Sequence, residues 1–212
     1  MKRLLLQSSI VFIQAEPVQN ITTLFVRTVI DDKILPKGFS QETVKTQFLK
    51  PVITHLGDGY SITEEPERLL IQVEYPESKN LDKLNKLNDK LPAFARNIKN
   101  IAKRANFSAV GINFKALINF EDQSSDNPFS HDDKIVQSMK YRQLGNEFIG
   151  NVAIEAVFIG DKEPKNSGFV FDLNCHFNIA NIPQDKKYSK INEILRKRNE
   201  CFQMLKEVIN DN

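Results

Sequence analysis

The chain has 212 residues with 29 Lys and Arg against 27 Asp and Glu, so its formal net charge of +2 gives no case for a nucleic-acid or membrane protein. A composition that is 41% hydrophobic and 26% charged is ordinary for a globular protein and excludes a largely disordered chain. The length fits one large domain or two small ones, and we expect a single α+β domain over residues 1–212.

The first segment has two basic residues before an apolar stretch, as a secretory signal peptide does. Gln7, Ser8 and Ser9 interrupt that stretch, so the pattern favours a first β-strand over residues 4–14. No apolar run approaches the roughly 20 residues that span a bilayer. We therefore expect a cytoplasmic protein that does not enter a membrane.

Alternation of apolar and polar residues predicts most of the strands. A second strand is expected over residues 21–30, followed by a short helix from Ser40 to about residue 51 and a Gly-Asp-Gly turn at residues 57–59. Further strands follow in chain order, at residues 60–75 as a hairpin, at residues 107–121 as one long strand, and at residues 151–180 as a second hairpin.

Apolar residues at steps of three and four predict the helices. The first such stripe runs over residues 81–104, and Pro92 requires the helix to kink or to restart with the proline in its first turn. A short helix capped by Ser130 follows a polar loop, and the last helix is predicted over residues 189–210.

These elements predict an α+β fold, a mostly antiparallel sheet of six or more strands with two long helices packed on one face. Residues 1–105 and 106–212 share an order of strand, hairpin and helix, although no repeat is visible residue by residue. A duplication that produced two β-ββ-α halves merged into one domain and a chance recurrence both explain this order. Either way, one face of the sheet is expected to remain open.

No stretch of the sequence has the spacing of a catalytic, phosphate-binding or metal-binding motif. Cys175 and Cys201 fall on apolar faces of a strand and a helix, so both are interpreted as reduced thiols in the core. No catalytic residue, cofactor or metal is predicted, and an enzyme is not favoured. The alternative of a metal-dependent hydrolase would need a site assembled from distant residues, namely His131, Asp132 or Asp133, Asp172 and His176.

A basic helix face is a second candidate site. Arg96, Lys99 and Lys103 recur at helical spacing on the first predicted helix, and such a face could bind the phosphates of a nucleic acid. No aromatic residue accompanies these charges, so a solvated helix face is the favoured explanation.

A polar sheet face is the first candidate site. Polar residues alternate with apolar ones on two strands that would form one surface if the strands were neighbours, and they are Asn113, Asn119, Asp172, Asn174, His176 and Asn178. Asparagine is depleted in strands, so its repeated use here marks the face as a wet binding surface, a dimer contact or a plain solvent face. The sequence favours a non-enzymatic binding or assembly protein that acts through a protein partner or self-association, with nucleic-acid binding and hydrolysis as alternatives.

Overall fold

A computed structural model describes residues 2–16, 42–44, 52–97, 106–121, 136–143, 148–158 and 166–211. Within these residues the strands are β1 Lys2–Gln14, β2 Glu42–Val44, β3 Val52–Gly57, β4 Tyr60–Glu64, β5 Arg68–Asn80, β6 Phe107–Glu121, β7 Val136–Gln143, β8 Phe148–Phe158 and β9 Asn166–Asn178. They form one sheet in the order β2-β3-β4-β5-β1-β6-β9-β8-β7, and neighbouring strands are antiparallel. The predicted α+β fold with an antiparallel sheet is therefore confirmed.

The helices lie on one face of this sheet. A single turn of 3-10 helix, Leu81–Lys83, and a short helix, α1 Leu91–Arg96, follow β5. The chain ends in α2 Gln184–Arg196 and α3 Arg198–Asp211, two segments of one bent helix that meet at Lys197. Within the described residues, no helix has the length and apolar character needed to cross a membrane.

The core forms between the sheet and the helices because the strands whose side chains are described, among them β1, β5, β6 and β9, place their alternating apolar residues toward the helical side. On β6, Val110, Ile112, Phe114, Ala116 and Ile118 are all buried, as period-two alternation predicts. Phe114 meets Phe202 of α3 with ring centroids 5.8 Å apart. Burial of these large side chains supplies the main driving force that holds α3 on the sheet.

The structure differs from the predicted helix over residues 81–104. Residues 84–90 are not helical, and the α-helix begins only at Leu91, with Pro92 in its first turn. Two backbone N–H groups of this segment donate instead to distant side chains, Leu87 N to Asn199 Oδ1 at 3.2 Å and Lys90 N to Tyr60 OH at 3.1 Å. Tertiary hydrogen bonds therefore replace the helical ones that the leucine spacing predicts, and the restart at Pro92 is confirmed.

Other predictions are confirmed, corrected or fall outside the described residues. The Gly-Asp-Gly turn is confirmed, since Gly57, Asp58 and Gly59 have φ angles of 83°, 48° and 78° and the Asp-Gly pair suits a tight hairpin. Residues 42–44 are strand β2 instead of helix, where they pair with β3. The predicted strand at 21–30 lies outside the described residues. The helix expected after Ser130 is described only from residue 136 on, where the chain forms strand β7 instead of helix.

Apart from the short edge strand β2, the strand order follows the same pattern outward from the centre in both directions. From β1 the order runs β5, β4, β3, and from β6 it runs β9, β8, β7. In each direction the first strand of the half pairs with the last strand of the same half, and β1 pairs with β6 across the middle. This arrangement brings polar positions from both halves into one row.

Candidate functional site

The face of the sheet opposite the helices, called here the open face, is crossed by a continuous row of polar residues. Backbone pairing aligns Gln72 with Ser9, Ser9 with Asn113, and Asn113 with Asn174. Residues in register on neighbouring strands point to the same side of a sheet. The row extends to Ser61 on one side, and we call these five residues the polar row: Ser61, Gln72, Ser9, Asn113 and Asn174.

The register continues beyond the polar row. Asn174 is opposite Asn151 of β8, which is opposite Lys140 of β7, and Ser61 is opposite His55 of β3. Polar residue types therefore occupy this register position from β3 to β7. No apolar residue interrupts the line.

A shallow depression of about 310 Å³ lies over the middle of the polar row. Seven of its eleven lining residues are polar or charged, and they come from strands β5, β1, β6 and β9. The lining residues are Gln7, Ser9, Arg68, Asn113, Lys115, Asp172 and Asn174, with Val11, Leu70, Phe114 and Leu173. The surface therefore offers hydrogen-bonding groups together with a smaller apolar area.

Two amide oxygens converge over Gly111 in this region. A Cβ atom placed on Gly111 would lie 3.6 Å from Asn113 Oδ1, 3.7 Å from Asn174 Oδ1 and 3.5 Å from the Cβ of Val11. Asn113 Nδ2 donates to Ser9 Oγ at 3.4 Å, whereas Asn113 Oδ1 is buried and has no hydrogen-bond partner among the described residues. An unmade hydrogen bond at a buried acceptor costs about 1–3 kcal/mol, so Asn113 Oδ1 carries an uncompensated cost in this arrangement.

The structure places most of the predicted polar-face residues. Strands β6 and β9 are neighbours, with Asn113 opposite Asn174, Lys115 opposite Asp172, and Gly111 opposite His176. The condition on which the predicted face depends is therefore met. Asp172 and Asn174 are exposed and His176 is half-buried.

Two of the predicted residues differ from the rest. Asn178 is exposed at the end of β9, and its Oδ1 accepts from the backbone N–H of Ala180 at 2.9 Å, so it shapes the turn that follows the strand. Asn119 is aligned with Gly168, but its side chain is not among those described. Neither residue lines the depression.

The first half of the chain supplies further site residues that the sequence pattern does not predict: Gln7, Ser9, Ser61 and Gln72. A β-bulge between Leu5 and Gln7 shifts the alternation of β1, so that Leu5 and Ser8 are both buried although they are three residues apart. The polar interruption at residues 7–9 was the available signal, since it breaks an otherwise apolar strand.

The structure describes only some of the residues of the other two candidate sites. Arg96 is exposed at the end of α1, while Lys99 and Lys103 lie outside the described residues. His131, Asp132 and Asp133 are also outside them, and the described part of the chain contains no group of three metal-ligating side chains. The hydrolase alternative thus has no assembled site in the described residues.

A buried polar cluster lies on the helical side of the sheet. Arg198 of α3 donates to Ser8 Oγ at 2.8 Å and forms an ion pair with Asp89, whose Oδ2 also accepts from Tyr75 OH at 2.8 Å. Burial, followed by the negative charge of Asp89, raises the pKa of Tyr75 above its usual value, so the phenol stays protonated and donates. Arg198 Nε has no hydrogen-bond partner among the described residues, but the other contacts make the cluster a structural link between the helix and the sheet.

Comparison of the sequence with models of known protein families and with curated proteins gives no match. The open face, with its polar row and the amide oxygens over Gly111, is therefore the feature from which a function is inferred.

Proposed function

We propose that the protein is a binding or assembly protein that holds an extended segment of a protein partner across the open face of its sheet. The observation that carries this proposal is the polar row, which crosses five strands without interruption. Asparagine and glutamine side chains both donate and accept hydrogen bonds, as the peptide group does. Such a row can pair with the N–H and C=O groups of a bound chain.

The dimensions of the row suit a short peptide segment. Neighbouring strands are about 4.8 Å apart, so five strands place polar side chains along about 19 Å. An extended chain rises about 3.3 Å per residue, and a segment of about six residues would cover the row. The half-buried Val11 and Leu70 beside the row would contact apolar side chains of that segment.

The charges near the depression favour a protein over a nucleic acid. Lys115 is opposite Asp172 on the neighbouring strand, and Arg68 forms an ion pair with Glu65. Each cation is therefore accompanied by an acid, whereas phosphate binding requires a surplus of positive charge. A small-molecule site is less favoured because such pockets are predominantly apolar, and here most lining residues are polar.

Photo-crosslinking in cells tests the proposal. A photoreactive amino acid is placed at Asn174, which is exposed on the open face, and in a second protein at Glu200, which is exposed on α3. We expect protein adducts from position 174 that are absent from position 200. Mass spectrometry of the adducts then identifies the partner and the residues that contact the row.

The other outcomes separate the alternatives. Adducts that contain only peptides of this chain would replace a foreign partner with self-association, which light scattering checks by the mass of the purified protein. Adducts with nucleic acid, or the same adducts from both positions, would contradict a protein-binding open face.

A further inference from the structure

The two cysteines of the chain meet inside the core. Cys175 lies on β9 and Cys201 on α3, and both side chains are 0% exposed. The two side chains are neighbours in the same apolar core, and α3 packs on β9. They are the only cysteines in the sequence, so neither has another intramolecular thiol with which to react.

In the folded structure, this buried pair of thiols is unreactive. Burial first, and then the adjacent Cys201 thiol, raise the pKa of Cys175 well above its usual value. The thiolate is the nucleophile in thiol chemistry, so a neutral buried pair reacts only when the core opens and one thiol ionises. Burial thus protects the two neighbouring thiols from rapid oxidation.

We propose that Cys175 and Cys201 form an intramolecular disulfide when the protein meets a low-molecular-weight disulfide oxidant, and that this bond locks α3 onto β9 behind the open face. The reaction is two successive thiol–disulfide exchanges. One cysteine loses its proton and attacks a sulfur of the oxidant, which breaks the oxidant's S–S bond and releases one small thiol. The second cysteine then attacks the protein sulfur of this mixed disulfide, and the second small thiol leaves.

The atoms and electrons of this exchange balance. Two protein thiols become one disulfide, and the two electrons and two protons that they lose appear on the two released small thiols. The sulfur atoms must approach to about 2.05 Å, which requires the facing strand and helix that carry them to bring the two neighbouring side chains together.

The position of the pair explains why the bond would act as a lock. β9 is held between β6 and β8, so Cys175 is fixed, while Cys201 lies in the first turn and a half of α3. A bond between them closes the loop of residues 175–201 and thereby restricts the unfolded chain. It also prevents α3 from leaving the strand that carries Asp172 and Asn174.

The test uses the full chain in mixtures of reduced and oxidised glutathione, with and without denaturant below the unfolding midpoint. After acid quenching, unfolding and alkylation, we expect a protein that has lost two thiols, gains no glutathione mass, and yields a crosslinked peptide pair containing Cys175 and Cys201. The reaction is expected to be slow in native buffer and faster in mild denaturant. The oxidised protein should melt roughly 5–10 °C higher than the reduced one.

Cys175→Ala and Cys201→Ala serve as matched controls, since each leaves one thiol and can form only a mixed disulfide. Two free thiols under all these conditions, two bound glutathiones, or a disulfide between chains would overturn the proposal. An intramolecular disulfide with no rise in melting temperature would overturn the locking role. Because the deciding readings are made on the wild-type protein, poor folding of a control variant does not affect the outcome.

Discussion

Arg198 of α3 and Asp89 of the segment before α1 form an ion pair whose side chains are only 4% and 2% exposed. The pair joins the last helix to a segment more than a hundred residues earlier in the chain. It is reinforced by Tyr75, which donates to Asp89, and by the ring of Phe114, which lies 5.9 Å from the Arg198 guanidinium carbon. Each charge therefore depends on the other for its compensation inside the core.

Removing one partner of this pair should be strongly destabilising. We expect Asp89→Asn to lower the free energy of unfolding by about 3–5 kcal/mol, because it leaves the Arg198 guanidinium buried without its counter-charge. Urea denaturation monitored by circular dichroism measures the change. Glu193→Gln is the control. It breaks the ion pairs that the half-exposed Glu193 forms with Lys190 and Lys197, and it should cost less than about 1 kcal/mol. Equal losses from the two variants would contradict the importance of burial.

Glu64 should make stability fall as the pH rises. Its side chain is 3% exposed, neither carboxyl oxygen has a hydrogen-bond partner among the described residues, and burial raises its pKa from 4.5 to about 8. Below the unfolded pKa both states hold the proton. Between the unfolded pKa and about 8, only the folded state retains the proton on Glu64. The free energy of unfolding therefore falls with each pH unit until the carboxyl group of the folded state also ionises.

The corresponding experiment measures the free energy of unfolding at about pH 5 and about pH 8. The wild type should lose on the order of 4 kcal/mol more over this range than Glu64→Gln, in which the titrating group is gone. Glu67→Gln, on the exposed turn that follows, should retain the wild-type dependence. The prediction is wrong if Glu64→Gln and the wild type lose equal stability.

Lys187 should anchor the start of β6. Its side chain is buried, and its ammonium group donates to the carbonyl oxygen of Phe107 at 2.7 Å and to Asn106 Oδ1 at 2.5 Å. Lys187→Met leaves that carbonyl without its donor and should cost about 1–3 kcal/mol in urea denaturation. Lys186→Met, at the exposed neighbouring position, should change stability by less than about 0.5 kcal/mol. A similar cost for both would mean that the helix, not the buried contact, is affected.

Gly111→Ala should separate folding from binding. The added methyl group would make only ordinary contacts with Val11, Asn113 and Asn174, so the melting temperature should stay within about 2–4 °C of the wild type. The same methyl group would occupy the space over which the two amide oxygens converge. Crosslinking from a photoreactive residue at the exposed Asp172, which leaves Asn174 in place, should therefore fall at least severalfold. Undiminished crosslinking in a folded Gly111→Ala protein would show that the partner does not contact this point.

The sequence is sufficient to predict the strands with strict alternation. For β6, the alternating apolar residues from Val110 to Phe120 identify the strand, because burial on one face directly imposes a period of two, and the predicted range 107–121 is the one observed. Leucine spacing after Leu81 predicts a helix that does not form, since the backbone there is held by Tyr60 and Asn199 from distant parts of the chain. Periodicity cannot reveal such partners.

The candidate site was predictable only in part, for a related reason. Asn113 and Asn174 are visible as polar positions within alternating strands, and they are aligned with each other. Ser9 joins them only because β1 lies between β5 and β6 and carries a bulge near Leu6. Strand order and register depend on contacts between distant segments, which a local pattern does not encode.

The central position of β1 has a consequence for how the protein folds as it is made. Lys2 is paired with Asn119 and Gln14 with Phe107, so one edge of this strand has its partner about a hundred residues later in the chain. Pairings between such distant segments carry a large loop-closure cost, and folds that depend on them form on the millisecond-to-second scale. During synthesis, the N-terminal strand therefore leaves the ribosome with an edge that stays unpaired until β6 has also emerged. In this interval the nascent chain is most exposed to mispairing with other chains.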